Sequence, residues 1–194
     1  GKLPELIAIY TGMLQADPTS ARAYYYRGYA RDFTDAAALD DYTEAIRLNP
    51  DYGLAYYMRG LAHFLAPKGD TITALADFSA AIRLNPIRQD TYLLRSLLYR
   101  KAGNYTAALA DCSAAIALDS SYAAAYYDRA DTHKLLGNFA DAINDYEQYL
   151  ELDPAALPRR RELEATIGDL RHQLQHPTPD RKADTQMAAN TDTD

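Results

Sequence analysis

The chain has one cysteine and no tryptophan, and valine is missing altogether from its 194 residues. Each absence closes off a class of protein. Cys112 has no second cysteine to join, so neither a disulfide framework nor a cysteine-built metal cluster is available. Valine is the archetypal strand former, and its absence beside 35 Ala, 24 Leu and 17 Tyr argues against sheet and for helix throughout. No apolar stretch approaches the roughly 18 residues that a membrane-crossing helix requires, so membrane insertion is not expected. Basic residues are also in deficit: 20 Lys and Arg stand against 27 Asp and Glu, a net charge of −7, which opposes nucleic acid as the partner. The chain is still long enough to bury roughly 70% of its unfolded surface without covalent staples. It opens with Gly1 and not with Met, which suggests a trimmed chain, so its start carries no information on compartment.

What the sequence has in abundance is self-similarity. Four segments close alike, at Arg47-Leu48-Asn49-Pro50, Arg83-Leu84-Asn85-Pro86, Ala117-Leu118-Asp119-Ser120 and Glu151-Leu152-Asp153-Pro154, with a fainter copy ending at Asp17-Pro18. The spacings are 32, 36, 34 and 34 residues, so one copy has lost two residues and the next has gained two, both expected in loops. The copies also open alike, at Tyr24, Tyr56, Tyr92 and Tyr126, each followed three residues later by Arg. Between opening and closing lies a breaker, clearest at Gly103-Asn104 and Gly137-Asn138, where glycine can take the left-handed conformation that ends a helix. Each copy therefore holds two helices.

This pattern resembles the tetratricopeptide repeat, whose motif places a small residue four after the opening aromatic, then Ala, an aromatic and Ala along the second helix, then Pro. Here the small residues are Gly28, Gly60, Ser96 and Ala130. Along the second helices run Ala38, Tyr42 and Ala45; Ala74, Phe78 and Ala81; Ala108, Cys112 and Ala115; and Ala142, Tyr146 and Tyr149. The resemblance implies an all-α fold, a right-handed alpha-alpha superhelix with a concave inner wall. Its expected organisation is a half repeat at 1–18, four repeats over 19–154, a C-terminal capping helix at 155–176 and a disordered tail at 177–194, where only Met187 and three Ala are apolar. Two departures stand out. Ser120 replaces a closing Pro and should loosen that turn, and Tyr149 replaces a small residue where the last repeat meets the capping helix.

An Arg in the first helix and an Asp in the second recur in every repeat, as Arg27 with Asp41, Arg59 with Asp77, Arg95 with Asp111 and Arg129 with Asp145. Their separations change in step with the loop lengths, which predicts semi-buried, bidentate pairs with a structural role. Catalytic machinery is harder to find. There is no glycine-rich phosphate loop, no Gly-x-Ser-x-Gly elbow and no His-Glu-x-x-His. His63 and His133 share the repeat phase of Tyr99 and read as packing residues, and His172 with His176 would hold a metal only weakly. Cys112 stands where its counterparts are aromatic and reads as a buried apolar group. The expectation is a protein that is not an enzyme and carries no cofactor.

By the same resemblance, the first helix of each repeat lines the inner wall. That implies partner-binding roles for Tyr25, Tyr26 and Tyr29, for Tyr57, Met58, Leu61 and Phe64, for Leu93, Leu94 and Leu97, and for Tyr127, Asp128 and Asp131; Arg22, Phe33, Asp90 and Lys101 flank them. So apolar a wall should be covered by something. Co-chaperones of this fold grip a terminal carboxylate with Lys, Asn and Arg. At the matching phases this chain has Tyr25, Tyr29, Met58, Asp90 and Leu94, so the clamp is missing. The expected partner is a protein or peptide, an apolar helix or extended segment whose Lys or Arg meets Asp128 and Asp131. The second reading is a structural module that forms homo-oligomers by stacking its exposed ends.

Overall fold

The computed structural model describes residues 2–31, 35–66, 69–153 and 157–176. The expected disordered tail at 177–194, Phe33 and Pro154 lie outside the described residues. Within them every regular element is an α-helix. The chain divides into two compact bodies, residues 1–98 and 99–194. The first holds α1 (Lys2–Ala16), α2 (Ala21–Tyr29), α3 (Ala36–Leu48), α4 (Gly53–Leu65), α5 (Thr71–Leu84) and most of α6 (Gln89–Lys101); the second holds the end of α6 with α7 (Tyr105–Leu118), α8 (Ala123–Leu135), α9 (Phe139–Leu152) and α10 (Leu157–Gln175).

Local chemistry sets the helix ends. Ser20, Asp35, Asp70 and Asn104 occupy N-cap positions, and their side chains accept hydrogen bonds from the otherwise unpaired amides of the first turn. Gly103 and Gly137 have φ of 79° and 76°, and the next residues, Asn104 and Asn138, donate their amides to Tyr99 and His133 at 2.9 Å, a six-residue closure that only a left-handed residue permits. The turn at Ser120 is not loosened. Tyr122 N–H bonds the Asp119 carbonyl at 3.0 Å, as Tyr52 N–H bonds Asn49 at 3.1 Å, and the Asp119 carboxylate adds bonds to the Ser121 amide and hydroxyl.

The two irregular spacings resolve differently. The two-residue gain lies in the connection 66–70, as expected of a loop insertion. The loss instead shortens a helix: α2 ends at Tyr29 after 9 residues, whereas α4 runs for 13. With fewer residues between Arg27 and Asp41, the chain must leave the helix early to reach the cap at Asp35.

Packing follows the small-against-large rule. In the N-terminal body Gly28 lies so close to Tyr42 that an added Cβ would sit 2.9 Å from the ring, and Gly60 stands in the same relation to Phe78 at 3.0 Å. Tyr42 and Phe78 are fully buried, each worth roughly 2–3 kcal/mol of transfer energy. In the C-terminal body Ala130 packs into the cluster around Tyr146, and Leu163, Ile167 and Leu170 of α10 complete that core. Tyr149, the large residue where a small one is usual, is buried there against the partner helix that departs from the repeat.

The Arg and Asp ladder forms as predicted in the three pairs that fall within one body. Arg27 donates to both oxygens of Asp41 at 2.6 to 3.1 Å, Arg59 to Asp77 at 2.8 Å twice, and Arg129 to Asp145 at 2.7 Å twice. All three carboxylates are buried. Each guanidinium also lies over the opening aromatic three residues earlier, 5.4 Å from Tyr24, 5.8 Å from Tyr56 and 5.6 Å from Tyr126, so Tyr and Arg act together as a lid on the buried carboxylate. Arg95 stacks on Tyr92 in the same way and donates to Ser79 at 3.0 Å.

Candidate functional site

In the N-terminal body α2 and α4 present their tyrosines on one side, where they line a cleft of about 440 Å³. Tyr25, Tyr26 and Tyr29 come from α2; Leu54, Tyr57, Met58 and Leu61 come from α4; Arg88, in the turn before α6, supplies the cation. Helical spacing accounts for this grouping, because residues three and four apart share a face. The rings form a ridged floor. Tyr25 is buried, edge-on to Tyr26 at 5.1 Å and stacked with Tyr29 at 6.3 Å, and it leans on Tyr52 at 5.0 Å. Tyr26 and Tyr29 remain 36% and 58% exposed beside it. Tyr10 of α1 stacks on Tyr26 at 5.5 Å.

The edge of the cleft is electrostatic. The Arg88 guanidinium lies 4.2 Å above the Tyr57 ring and donates to Asp90 at 2.8 and 3.3 Å. Tyr57 donates its hydroxyl to the same carboxylate at 2.9 Å. Burial pushes the Tyr57 phenol up to about 12, with the Asp90 charge adding to it. At Asp90 burial pushes the carboxyl up, but the bonds from Arg88 and Tyr57 outweigh it and hold the pKa below the ordinary value. One carboxylate thus locks a phenol and a guanidinium into a fixed wall.

The remaining expected groove residues are placed as follows. Met58 and Leu93 are buried, Met58 in the same cluster as Tyr25. Phe64 and Leu94 pack on the Phe78 cluster and Leu97 is half-buried. In the C-terminal body Tyr127 stands edge-on to Tyr146 and Tyr149, at 5.9 and 5.3 Å, under the Arg159 guanidinium at 5.1 Å. Asp128 and Asp131 share Arg100, at 2.8 and 3.0 Å, and Asp131 also accepts from the Tyr146 hydroxyl at 2.5 Å and pairs with Lys134 at 3.3 Å. The chain itself thus brings Arg100 and Lys134 to the two carboxylates at which a partner's Lys or Arg was expected. Burial pushes the Asp128 carboxyl up to about 6 despite Arg100.

Sequence reasoning missed Arg88 and Leu54. Leu54 lies one turn before Met58, a signal that could have been followed; Arg88 sits in a turn two residues before Asp90, outside any helical period. Among the described residues no group of three His, Cys, Asp or Glu side chains is positioned to hold a metal ion, and no helix is long and apolar enough to cross a membrane. The rings of His172 and His176 lie 4.6 Å apart and are exposed. Cys112 is buried, as expected.

Paired helices interlocked small against large, and joined by repeating ion pairs, define a helical-repeat scaffold. The chain belongs to the tetratricopeptide-repeat family: models described as tetratricopeptide repeat match residues 29–86, 68–123 and 123–155. Solved structures agree. The MamA protein superposes with a TM-score of 0.70 at 22% identity, over 81% of this chain and 86% of that one. YrrB, a TPR protein with an unusual peptide-binding site, gives 0.69 at 22% identity, over 79% of each chain. The first TPR of Spaghetti (RPAP3), bound to the HSP90 peptide SRMEEVD, gives 0.56 at 24% identity, over 63% of this chain and 93% of that one. At these identities the likeness is one of fold. No curated protein matches the chain.

Proposed function

We propose that the protein is a non-catalytic scaffold that holds a segment of a partner protein in the tyrosine cleft of its N-terminal body. The observation that carries this reading is the exposure of Tyr26 and Tyr29 at the rim of a cleft otherwise floored by buried Tyr25 and Met58. Rigid aromatic rings with polar tips give large contact area at small entropic cost, and that is the composition of binding hot spots. Two solved relatives in fold are described with peptide sites, which supports the same use here. Among the described residues that line the cleft the clamp for a terminal carboxylate has no counterpart, and Arg88 there is paired with Asp90.

The test is affinity capture with the intact protein and with Tyr26→Asp plus Tyr29→Asp, both exposed rings whose loss spares the core. Partners captured by the native chain and lost from the folded double variant are the expected result. Equal capture by both would defeat the assignment.

A second reading, self-association, is favoured by α1. Leu3, Leu6, Ile9 and Met13 are 38–58% exposed on this helix, whereas the Ala at the phases of Leu6 and Met13 are fully buried in α3. Light scattering of Leu6→Glu plus Met13→Glu against the native protein measures it: a fall in mass is expected if α1 joins copies.

A further inference from the structure

The exposed face of α1 can be given an occupant and a geometry, with the reading of this helix as one that joins copies as the premise. We propose that α1 pairs antiparallel with α1 of a second copy about a two-fold axis, which closes a dimer and does not stack copies end to end. The face is, first, unlike that of a repeat junction. Across the 32-residue spacing, Leu6, Ile9 and Met13 stand at the phases of Ala38, Asp41 and Ala45. In α3 those three are buried, and Asp41 pairs with Arg27 of α2. A first helix of the repeat's own kind, laid on α1, would bring its Arg to an isoleucine and meet bulk where it needs alanine. The outer face of α10 is no better match. There Arg161, Glu164, Asp169 and His172 are exposed, and α1 of another copy would bury those charges against its own apolar side chains.

The face does match itself. Lys2, Leu6, Ile9, Met13 and Asp17 follow one another in steps of 4, 3, 4 and 4 residues, which keeps all five on one side of a helix. Asp17 lies just past the end of α1, and its amide still bonds the Met13 carbonyl at 2.8 Å, so it continues the last turn. The strip is therefore apolar in the middle, basic at its start and acidic at its end. An axis between Ile9 and Tyr10 sets Leu6 opposite Met13 and Lys2 opposite Asp17, in both halves of the contact. Antiparallel helices also place opposite ends of their macrodipoles together. Parallel pairing would set Lys2 on Lys2 and Asp17 on Asp17, a like-charge clash at each end. Asp17 is prepared for the lysine: its Oδ1 accepts from the Thr19 hydroxyl and amide at 2.7 and 2.9 Å, bonds that hold its carboxyl below the ordinary range and leave Oδ2 for the contact. An isologous contact of this kind satisfies itself with two copies and grows no further.

The experiment uses the full chain, whose one cysteine, Cys112, is fully buried. Light scattering over a concentration series should rise to twice the chain mass of 21.6 kDa and stop there. Ile9→Cys lies beside the axis and should be trapped as a disulfide-linked dimer on air oxidation. Leu3→Cys, about 20 Å from its counterpart in this register, should not. Lys2→Asp and Asp17→Lys should each weaken dimerisation by about tenfold. Both exchanges in one chain should restore it, because residues at the two ends of one helix meet only between antiparallel copies. Circular dichroism of each variant establishes that it is folded. The inference is overturned if the mass climbs past the dimer, if Ile9→Cys is not trapped or Leu3→Cys is trapped equally, or if the double exchange fails to restore the dimer. In any of these cases, a mass that still falls in the Leu6→Glu plus Met13→Glu variant leaves association through α1 standing. A native chain that stays monomeric throughout the series removes that reading together with the inference.

Discussion

Gly12 and Gly28 are both helical, yet replacing each by alanine should move stability in opposite directions. In an exposed helix alanine is favoured over glycine by about 1 kcal/mol, because glycine loses more backbone entropy on folding. At Gly12 of α1 a new Cβ meets nothing within 4 Å, so that gain should appear undiminished as a stabilisation of about 1 kcal/mol. At Gly28 the Cβ would stand 2.9 Å from the Tyr42 ring, 3.2 Å from the Ala38 carbonyl oxygen and 3.2 Å from the Asp41 Cβ. None of these can yield cheaply. Tyr42 is fully buried, Ala38 offers backbone, and Asp41 is held by Arg27. Overpacking of this kind costs about 1–3 kcal/mol, which offsets the propensity gain and leaves Gly28→Ala destabilised by up to about 2 kcal/mol. Gly60→Ala, against Phe78 and Asp77, should behave the same way. Urea midpoints followed by circular dichroism measure all three variants under one condition. If Gly28→Ala raises the midpoint as Gly12→Ala does, the close nesting of small against large residues does not hold these helices together.

Two further perturbations address the buried charges. Arg129→Ala leaves the Asp145 carboxylate, whose side chain is only 9% exposed, without both of its guanidinium bonds. Calorimetry should show a loss of about 3 kcal/mol, most of it recovered when Asp145 is also replaced by Leu; a single variant that melts like the native protein would make the ladder ornamental. Asp128 bears on pH. Its folded pKa of about 6 lies above the ordinary value of an aspartate, so the folded state binds this proton more tightly than the unfolded chain does. Its contribution to stability is fully present below about pH 4 and is lost as pH rises through 6, by up to about 3 kcal/mol. Asp128→Asn should therefore gain on the native protein as pH is raised from 4.5 to 7.5, read as the difference in urea midpoints; a constant difference would contradict the sign.

Much of this architecture is legible in the residue pattern because its causes are local. The opening tyrosines, the small residues four later and the Gly-Asn breakers fall at a fixed period, and each acts within one helix or one turn. The ladder was readable for a related reason: Arg59 and Asp77 keep their phase although two residues are inserted between them, so only a shared spatial role explains their recurrence. The short α2 was less legible, since a two-residue deletion can be absorbed by a loop or a helix end, and only the position of the Asp35 cap selects the second.

The candidate site divides along the same line. Six of the eight residues around the cleft were named by the resemblance to the tetratricopeptide repeat, which implies that Tyr25, Tyr26 and Tyr29 of α2 and Tyr57, Met58 and Leu61 of α4 face the inner wall. Periodicity says which way a side chain points, but not how far its neighbours cover it, which is why Tyr25 and Met58 proved to be floor and Tyr26 and Tyr29 rim.

By itself, the sequence determined the helix pairs, their small and large contact positions and the Arg with Asp ladder, because these depend on short-range periodicity and on side-chain volume. Only the tertiary structure decided which charges remain available. Asp90 meets Tyr57 across 33 residues, and Asp131 meets Arg100 across 31. Such pairings arise where neighbouring repeats are brought together by packing. No spacing rule within one helix encodes them, so the cation beside the tyrosines and the neutralised acids of α8 came into view only with the fold.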